Sequence, residues 1–94
     1  MKNKILVYGA GAIGRGYIPW IFPSDRYELS FVESDSKLRG LLQKQKEFTT
    51  YRTKNGQYEK LICDSKDCFD LGEEDPTEYD GIITAVGARQ VYAL

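Results

Sequence analysis

The chain has 94 residues, 13 of them Lys or Arg and 14 Asp or Glu, for a net charge of -1. That length suits one small domain and leaves no room for a second of similar weight. A hydrophobic share of 41% beside 29% charged residues excludes intrinsic disorder. The balanced charge argues against the basic face needed to grip nucleic acid without regard to sequence.

The N-terminus has the outline of a secretory leader, with Lys2 and Lys4 ahead of an uncharged run over residues 5–14. Glycines and alanines at the end of that run, followed by Arg15, break its apolar core, so it reads instead as the start of a domain. No apolar stretch approaches the roughly 20 residues of a membrane span, and no membrane partner is expected. Residues 4–8 (KILVY) are apolar on both faces and stop at Gly9, which predicts a buried parallel strand. A glycine-dense turn covers residues 9–16. Beyond it Ile13, Tyr17, Ile18, Trp20, Ile21 and Phe22 recur at helical spacing. Pro19 lacks a backbone donor and crowds the preceding turn, so that helix should kink or end early.

Residues 27–32 (YELSFV) predict a second strand that ends at Glu33. Ser34 or Asp35 then caps a helix running to about Lys46, with Leu38, Leu41 and Leu42 on its inner face. Residues 48–53 and 57–63 flank Asn55-Gly56, a pair suited to two successive positive φ angles, and so predict a β-hairpin. Tyr51, Tyr58 and Tyr79 read as cross-strand or core aromatics. Residues 64–80 are acidic and rich in turn formers. Glu73, Glu74, Asp75, Glu78 and Asp80, with Pro76 among them, read as a solvated loop and not as a cation cage. Residues 81–86 (GIITAV) form another buried-strand pattern ending at Gly87, and residues 88–94 open a helix. Cys63 and Cys68 are too far apart for a C-x-x-C pair, and no histidine is present to complete a metal site or a Ser-His-Asp or Cys-His arrangement. They read as free thiols of a reducing, cytoplasmic compartment, one half-buried on a strand and one on a loop.

The order strand, glycine turn, helix, strand, helix, hairpin, strand places the chain in the α/β class. It predicts the first half of a Rossmann-type doubly wound parallel sheet, with an inserted β-hairpin where a third strand and its crossover would be simpler. Residues 1–94 read as a single NAD(P)-binding domain, truncated at its C-terminus because the last helix is unfinished and the second half of the sheet is missing.

Gly9-Ala10-Gly11-Ala12-Ile13-Gly14 fits the G-x-G-x-x-G fingerprint, and it lies between a predicted strand and a predicted helix, as that fingerprint requires. Gly9 permits the tight turn, Gly11 lets backbone approach a pyrophosphate, and Gly14 lets the helix press against the sheet. The N–H groups of the first helical turn then face the diphosphate. Glu33 follows Gly14 by 19 positions, where a carboxylate can accept from the ribose hydroxyls and repel a 2′-phosphate. The expected cofactor is therefore NAD in preference to NADP, a preference that Lys37 and Arg39 could soften. Arg15 could contact the diphosphate or a phosphorylated substrate, or could simply lie on the helix surface.

The run Gly9-Ala10-Gly11-Ala12-Ile13-Gly14-Arg15-Gly16-Tyr17-Ile18 resembles the mannitol dehydrogenase family, whose members carry a G-A-G-N-I-G-R-G-F-type run after the first strand. Thr84-Ala85-Val86-Gly87 is similar to the T-A-V-G of that family's fourth strand, while Ala12 and Ala88-Arg89 depart from its Asn and Pro-Asn. The resemblance implies that the turn Gly9 to Arg15, Glu33 and the backbone of Ala85, Val86 and Gly87 bind the dinucleotide. It further implies hydride transfer between NAD(P) and a small polyol or polyol phosphate, with a lysine acid/base in a later helical domain. On that reading this chain carries no catalytic residue and no metal, and alone is inactive. The alternative is a stand-alone NAD-sensing or regulatory module, against which the unfinished last helix argues.

Overall fold

Ile5, Leu6 and Val7 are 6%, 0% and 0% exposed, so the first strand is buried on both faces, as an uninterrupted apolar run demands. The computed structural model describes residues 2–85. In it β1 (Asn3–Tyr8) is followed by two short helical pieces, α1 (Ala12–Gly16) and α2 (Ile18–Ile21), then β2 (Tyr27–Val32) and α3 (Ser36–Gln45). A hairpin of β3 (Glu47–Lys54) and β4 (Gln57–Asp64) comes next, then β5 (Cys68–Phe69), a single 3-10 turn at Pro76–Glu78, and β6 (Gly81–Thr84).

Four strands form one parallel sheet in the order β5-β2-β1-β6, and β3 and β4 pair antiparallel as a separate sheet. The chain winds outward from β1 through β2 to β5, then crosses back to lay β6 on the other side of β1. The switch in winding direction therefore falls between β1 and β6, the place where open α/β sheets bind ligands. In register, Phe69 lies beside Val32, Val32 beside Tyr8, and Tyr8 beside Thr84. All four strands thus end level.

The third strand corrects the expectation of a hairpin in its place: the chain has both. β5 has only two residues, Cys68 and Phe69, in the segment read as an acidic loop. Its pairing is extended by Phe31 N–H donating to the Asp67 carbonyl and Glu33 N–H to that of Phe69, at 2.9 and 2.8 Å. The cysteine reading is corrected with it. Cys63 on β4 and Cys68 on β5 are both on strands and both buried, at 0% and 4% exposure, and neither forms a disulfide.

The first helix is interrupted at Tyr17, and Pro19 sits in the opening turn of α2, where a missing N–H costs no intrahelical bond. α3 begins as its sequence dictates, with the Asp35 carboxylate accepting from Lys37 and Leu38 N–H, and ends with Lys46 in the left-handed region at φ 57°. Leu42 is buried and Leu38 packs on the core, but Leu41 is 53% exposed and does not belong to the inner face. The hairpin turns at Asn55 and Gly56, with φ of 53° and 76°, the two positive values that the sequence demands.

One face of the hairpin is inward: Phe48 meets Phe31 edge to face at 5.7 Å, and Arg52 lies 4.1 Å over the Trp20 ring. The other face is open, so Tyr51 and Tyr58 are not core aromatics; they are 62% and 85% exposed. The core itself is continuous from Ile5, Val7, Leu29 and Phe31 of the parallel sheet to Ile18, Leu42, Cys63 and Cys68. The expected helix over residues 88–94 lies outside the described residues, as does the last residue of the strand expected over 81–86.

Replacing the Asp35 cap tests the local logic of α3. Asp35→Ala is expected to lower stability by about 1 kcal/mol and Asp35→Asn by much less, measured as a shift in urea midpoint at unchanged slope. Equal losses in both would show that the cap is not what starts this helix.

Candidate functional site

The residues that follow the four level strand ends form a row in sheet order: Asp70 after β5, Glu33 after β2, Gly9 after β1 and Ala85 after β6. Hydrogen bonds hold that row. Gly9 N–H donates to the Val32 carbonyl at 2.8 Å, and Ala85 N–H to that of Tyr8 at 2.7 Å.

Gly9 leaves β1 at φ 101°, a conformation that side chains resist. The chain then turns into α1, and Gly14 comes down on the end of the strand. A Cβ at Gly14 would collide with the Gly9 carbonyl oxygen and lie 3.6 Å from the Ala85 Cβ, so only glycine fits. Gly11 is different: a Cβ there meets nothing within 4 Å. Its bareness is not required by packing within the described residues, and it leaves backbone accessible beside the start of α1. Ala10 is fully buried, and Ala12 and Ile13 form the first turn of α1.

Glu33 joins the turn to the second strand. One carboxylate oxygen accepts from Ala10 N–H at 2.8 Å and the other from Asp35 N–H at 2.8 Å. Arg15 folds back, its Nε donating to the Ala10 carbonyl at 2.6 Å, which leaves the outer guanidinium nitrogens for another partner. The structure therefore brings Gly9, Ala10, Gly11, Gly14, Arg15, Glu33 and Ala85 together at the carboxyl end of the sheet. Val86 and Gly87 lie outside the described residues.

Two further sets of contacts were not read from the sequence. Arg39, on α3, donates from Nη1 to the Glu33 carbonyl at 2.8 Å and lies 3.5 Å from an Asp70 carboxylate oxygen. The Tyr8 hydroxyl donates to Glu74 at 2.9 Å, which pins the loop after β5 to the end of β1. Burial raises the Tyr8 pKa, and its bond to Glu74 adds to the rise. The acidic residues of this loop are occupied in closing it: Glu73 accepts from Asp70 N–H, Glu74 from Gly72 N–H, and Asp75 caps the 3-10 turn. Among the described residues no group of three or more His, Cys, Asp or Glu is placed to hold a metal ion. No helix among them is long and apolar enough to cross a membrane. A groove of about 450 Å³ runs along the free edge of β5 between Lys46, Lys66 and Phe69, and no glycine-turn residue lines it.

The geometry fits a dinucleotide. The glycine turn lies at the winding switch, Gly11 leaves open space beside it, and a carboxylate stands one strand away. Residues 3–91 match the mannitol dehydrogenase Rossmann domain. A mannitol-1-phosphate 5-dehydrogenase of Caldanaerobacter subterraneus subsp. tengcongensis is 28% identical over 97% of this chain, which spans 25% of that relative's length.

Two measurements test these contacts. Gly14→Ala is expected to cost about 1–3 kcal/mol of stability through overpacking, whereas Gly11→Ala should shift it by less than about 1 kcal/mol. Equal stability of the two variants in urea titrations would contradict the close approach at Gly14.

The second concerns pH. Burial pushes the Cys68 thiol up to about 11 from 9.0, and the nearby Glu33 charge raises it further than Arg39 lowers it. The unfolded thiol ionises first, so the folded state holds the proton more tightly. The stability this contributes is full below about pH 9 and is lost as pH rises towards 11. The urea midpoint should fall over that window, and less steeply in Cys68→Ala; identical slopes in the two proteins would refute this assignment.

Proposed function

From the premise that the chain belongs to the mannitol dehydrogenase family through its Rossmann domain, we propose that it holds a nicotinamide dinucleotide across the carboxyl ends of β1 and β2. The observation that carries this reading is the Glu33 carboxylate bonded directly to the glycine turn at the winding switch.

The roles follow from chemistry. The N–H groups at the start of α1 have no intrahelical acceptors, and they receive the diphosphate with Gly9, Gly11 and Gly14 keeping side chains out of its path. The outer guanidinium nitrogens of Arg15 supply a positive charge beside it. Glu33 accepts from the adenosine ribose hydroxyls. Its two bonds to Ala10 and Asp35 leave acceptor capacity on both oxygens, because a carboxylate offers about four lone-pair sites. Ala85 stands at the end of β6 beside Gly14, and the family resemblance assigns its backbone, with Val86 and Gly87, to the cofactor as well. Once bound, the nicotinamide supplies the hydride acceptor or donor.

The same reading makes the complete polypeptide an oxidoreductase acting on a polyol or polyol phosphate, the class named in the relative that this chain matches. On this reading the residues of this chain bind and orient the cofactor, and none of them is assigned a proton-transfer role. NAD is preferred to NADP because the Glu33 charge repels a 2′-phosphate.

Calorimetric titration of the purified chain with NADH and NADPH tests this. Trp20 is seated under Arg52 of the hairpin, so heat is a more direct readout than its fluorescence. NADH should bind saturably and more tightly than NADPH, and Glu33→Gln should weaken NADH by about tenfold while narrowing the gap between the two. Equal affinity of the wild-type chain for both would remove Glu33 from this role.

A further inference from the structure

The row of residues at the strand ends continues past Glu33 to Asp70, on the side away from the glycine turn. On the nucleotide reading, Glu33 would hold the adenosine ribose, and the groups able to meet a 2′-substituent would be those that flank Glu33 at the ends of β2 and β5. That is where Arg39 lies. Its side chain is only 18% exposed, and its Nη1 atom both donates to the Glu33 carbonyl and faces Asp70. An arginine beside the acidic residue of this fold is the group that accommodates a 2′-phosphate. The chain therefore carries the residue types for both cofactors, and what decides between them is whether the guanidinium is free.

We propose that Asp70 determines cofactor choice as a positioning residue: it holds Arg39 against the end of β2, withdrawn from the ribose, and offsets its charge. Asp70 is fixed for this. Its Oδ1, the atom nearest Arg39, also accepts from Leu71 N–H at 2.8 Å, and its own N–H donates to Glu73. Asp70 thus faces the guanidinium at 3.5 Å while the backbone carbonyl of Glu33 holds its Nη1 atom, so the one arginine beside Glu33 is paired with a carboxylate of its own. Without the Asp70 charge, Arg39 keeps its bond to the Glu33 carbonyl through one nitrogen and turns the others outward, where guanidinium geometry suits a phosphate. The inference rests on the nucleotide reading above, which it sharpens into a discrimination between dinucleotides.

The test compares NADH and NADPH binding to the full chain and three variants by calorimetry. Asp70→Asn retains the side-chain oxygen that Leu71 N–H requires and removes only the charge. It should raise NADPH affinity relative to NADH by about tenfold, while Asp70→Glu keeps the wild-type ratio. The double variant Asp70→Asn with Arg39→Met, which preserves the aliphatic stem, should lose the gain. An unchanged ratio in Asp70→Asn, with NADH still bound, overturns the role of Asp70 and leaves the nucleotide reading standing. A gain that persists without Arg39 overturns the proposal equally, since Asp70 then acts by its own charge. If the double variant does not fold, Asp70→Asn with Arg39→Gln, which keeps an N–H donor for the Glu33 carbonyl without the charge, makes the same comparison and should likewise lose the gain. A wild-type chain that is folded and binds neither dinucleotide overturns the nucleotide reading and this inference with it.

Discussion

The closest constraint in this molecule is the seat of Gly14 on the Gly9 carbonyl, where no side chain fits. It sets how near α1 comes to the end of β1, and the other contacts follow from it. With α1 drawn in, Gly14 also lies beside Ala85 of the far strand. Gly16 at the helix end then offers its carbonyl to the Thr50 hydroxyl at 3.4 Å, so the hairpin docks where α1 leaves off. Gly9 takes its positive φ in the same turn, and Ala10 N–H meets Glu33. A four-stranded parallel sheet has little apolar area to spare, and here that backbone contact works beside the Phe48–Phe31 and Arg52–Trp20 contacts that seat the hairpin and the strand-end hydrogen bonds that hold the row.

Most of this was legible because the informative segments are long or chemically restrictive. The run of residues 4–8 has no polar face, and Asn55-Gly56 tolerates the positive φ pair that a side chain with a branched Cβ resists. The glycine turn and Glu33 could be read for the same reason, since each residue type answers a steric or electrostatic demand. β5 could not be read, because two residues carry no periodicity. Cys68 and Phe69 become a strand only through bonds to Phe31 and Glu33 on a neighbour distant in sequence. Leu41 was misplaced by a similar limit. It shares helical spacing with Leu38 and adjoins Leu42, but the core is narrow enough to cover only those two. For Tyr51 and Tyr58, alternation identifies two faces of a hairpin without saying which one the rest of the chain will cover.

Asp70 escaped for the reason that β5 did. In the sequence it is one acid in a stretch rich in them, 37 positions from Glu33. Only the pairing of β5 with β2 sets the two side by side at the sheet's end. Arg39 was visible as a cation near the acidic residue, and sequence proximity suggested that it would soften a preference for NAD. In the structure that guanidinium lies within 3.5 Å of a carboxylate and is bonded to a backbone carbonyl, so on the proposed reading it reaches a phosphate only after rearrangement.

Exposed ion pairs contribute little to stability, because water screens them and long side chains lose freedom in making them. The Arg39–Asp70 pair is therefore poorly explained as a device for holding the fold together, particularly with Asp70 half-exposed. Its position explains it better. A pair that adds little energy can still decide where a charge points, and specificity is a difference between two affinities, set as much by repulsion as by attraction. On the proposed reading Glu33, at the end of β2, meets the ribose, and Asp70, at the end of the neighbouring strand, decides where the Arg39 charge points. The third strand, short as it is, brings Asp70 to Arg39.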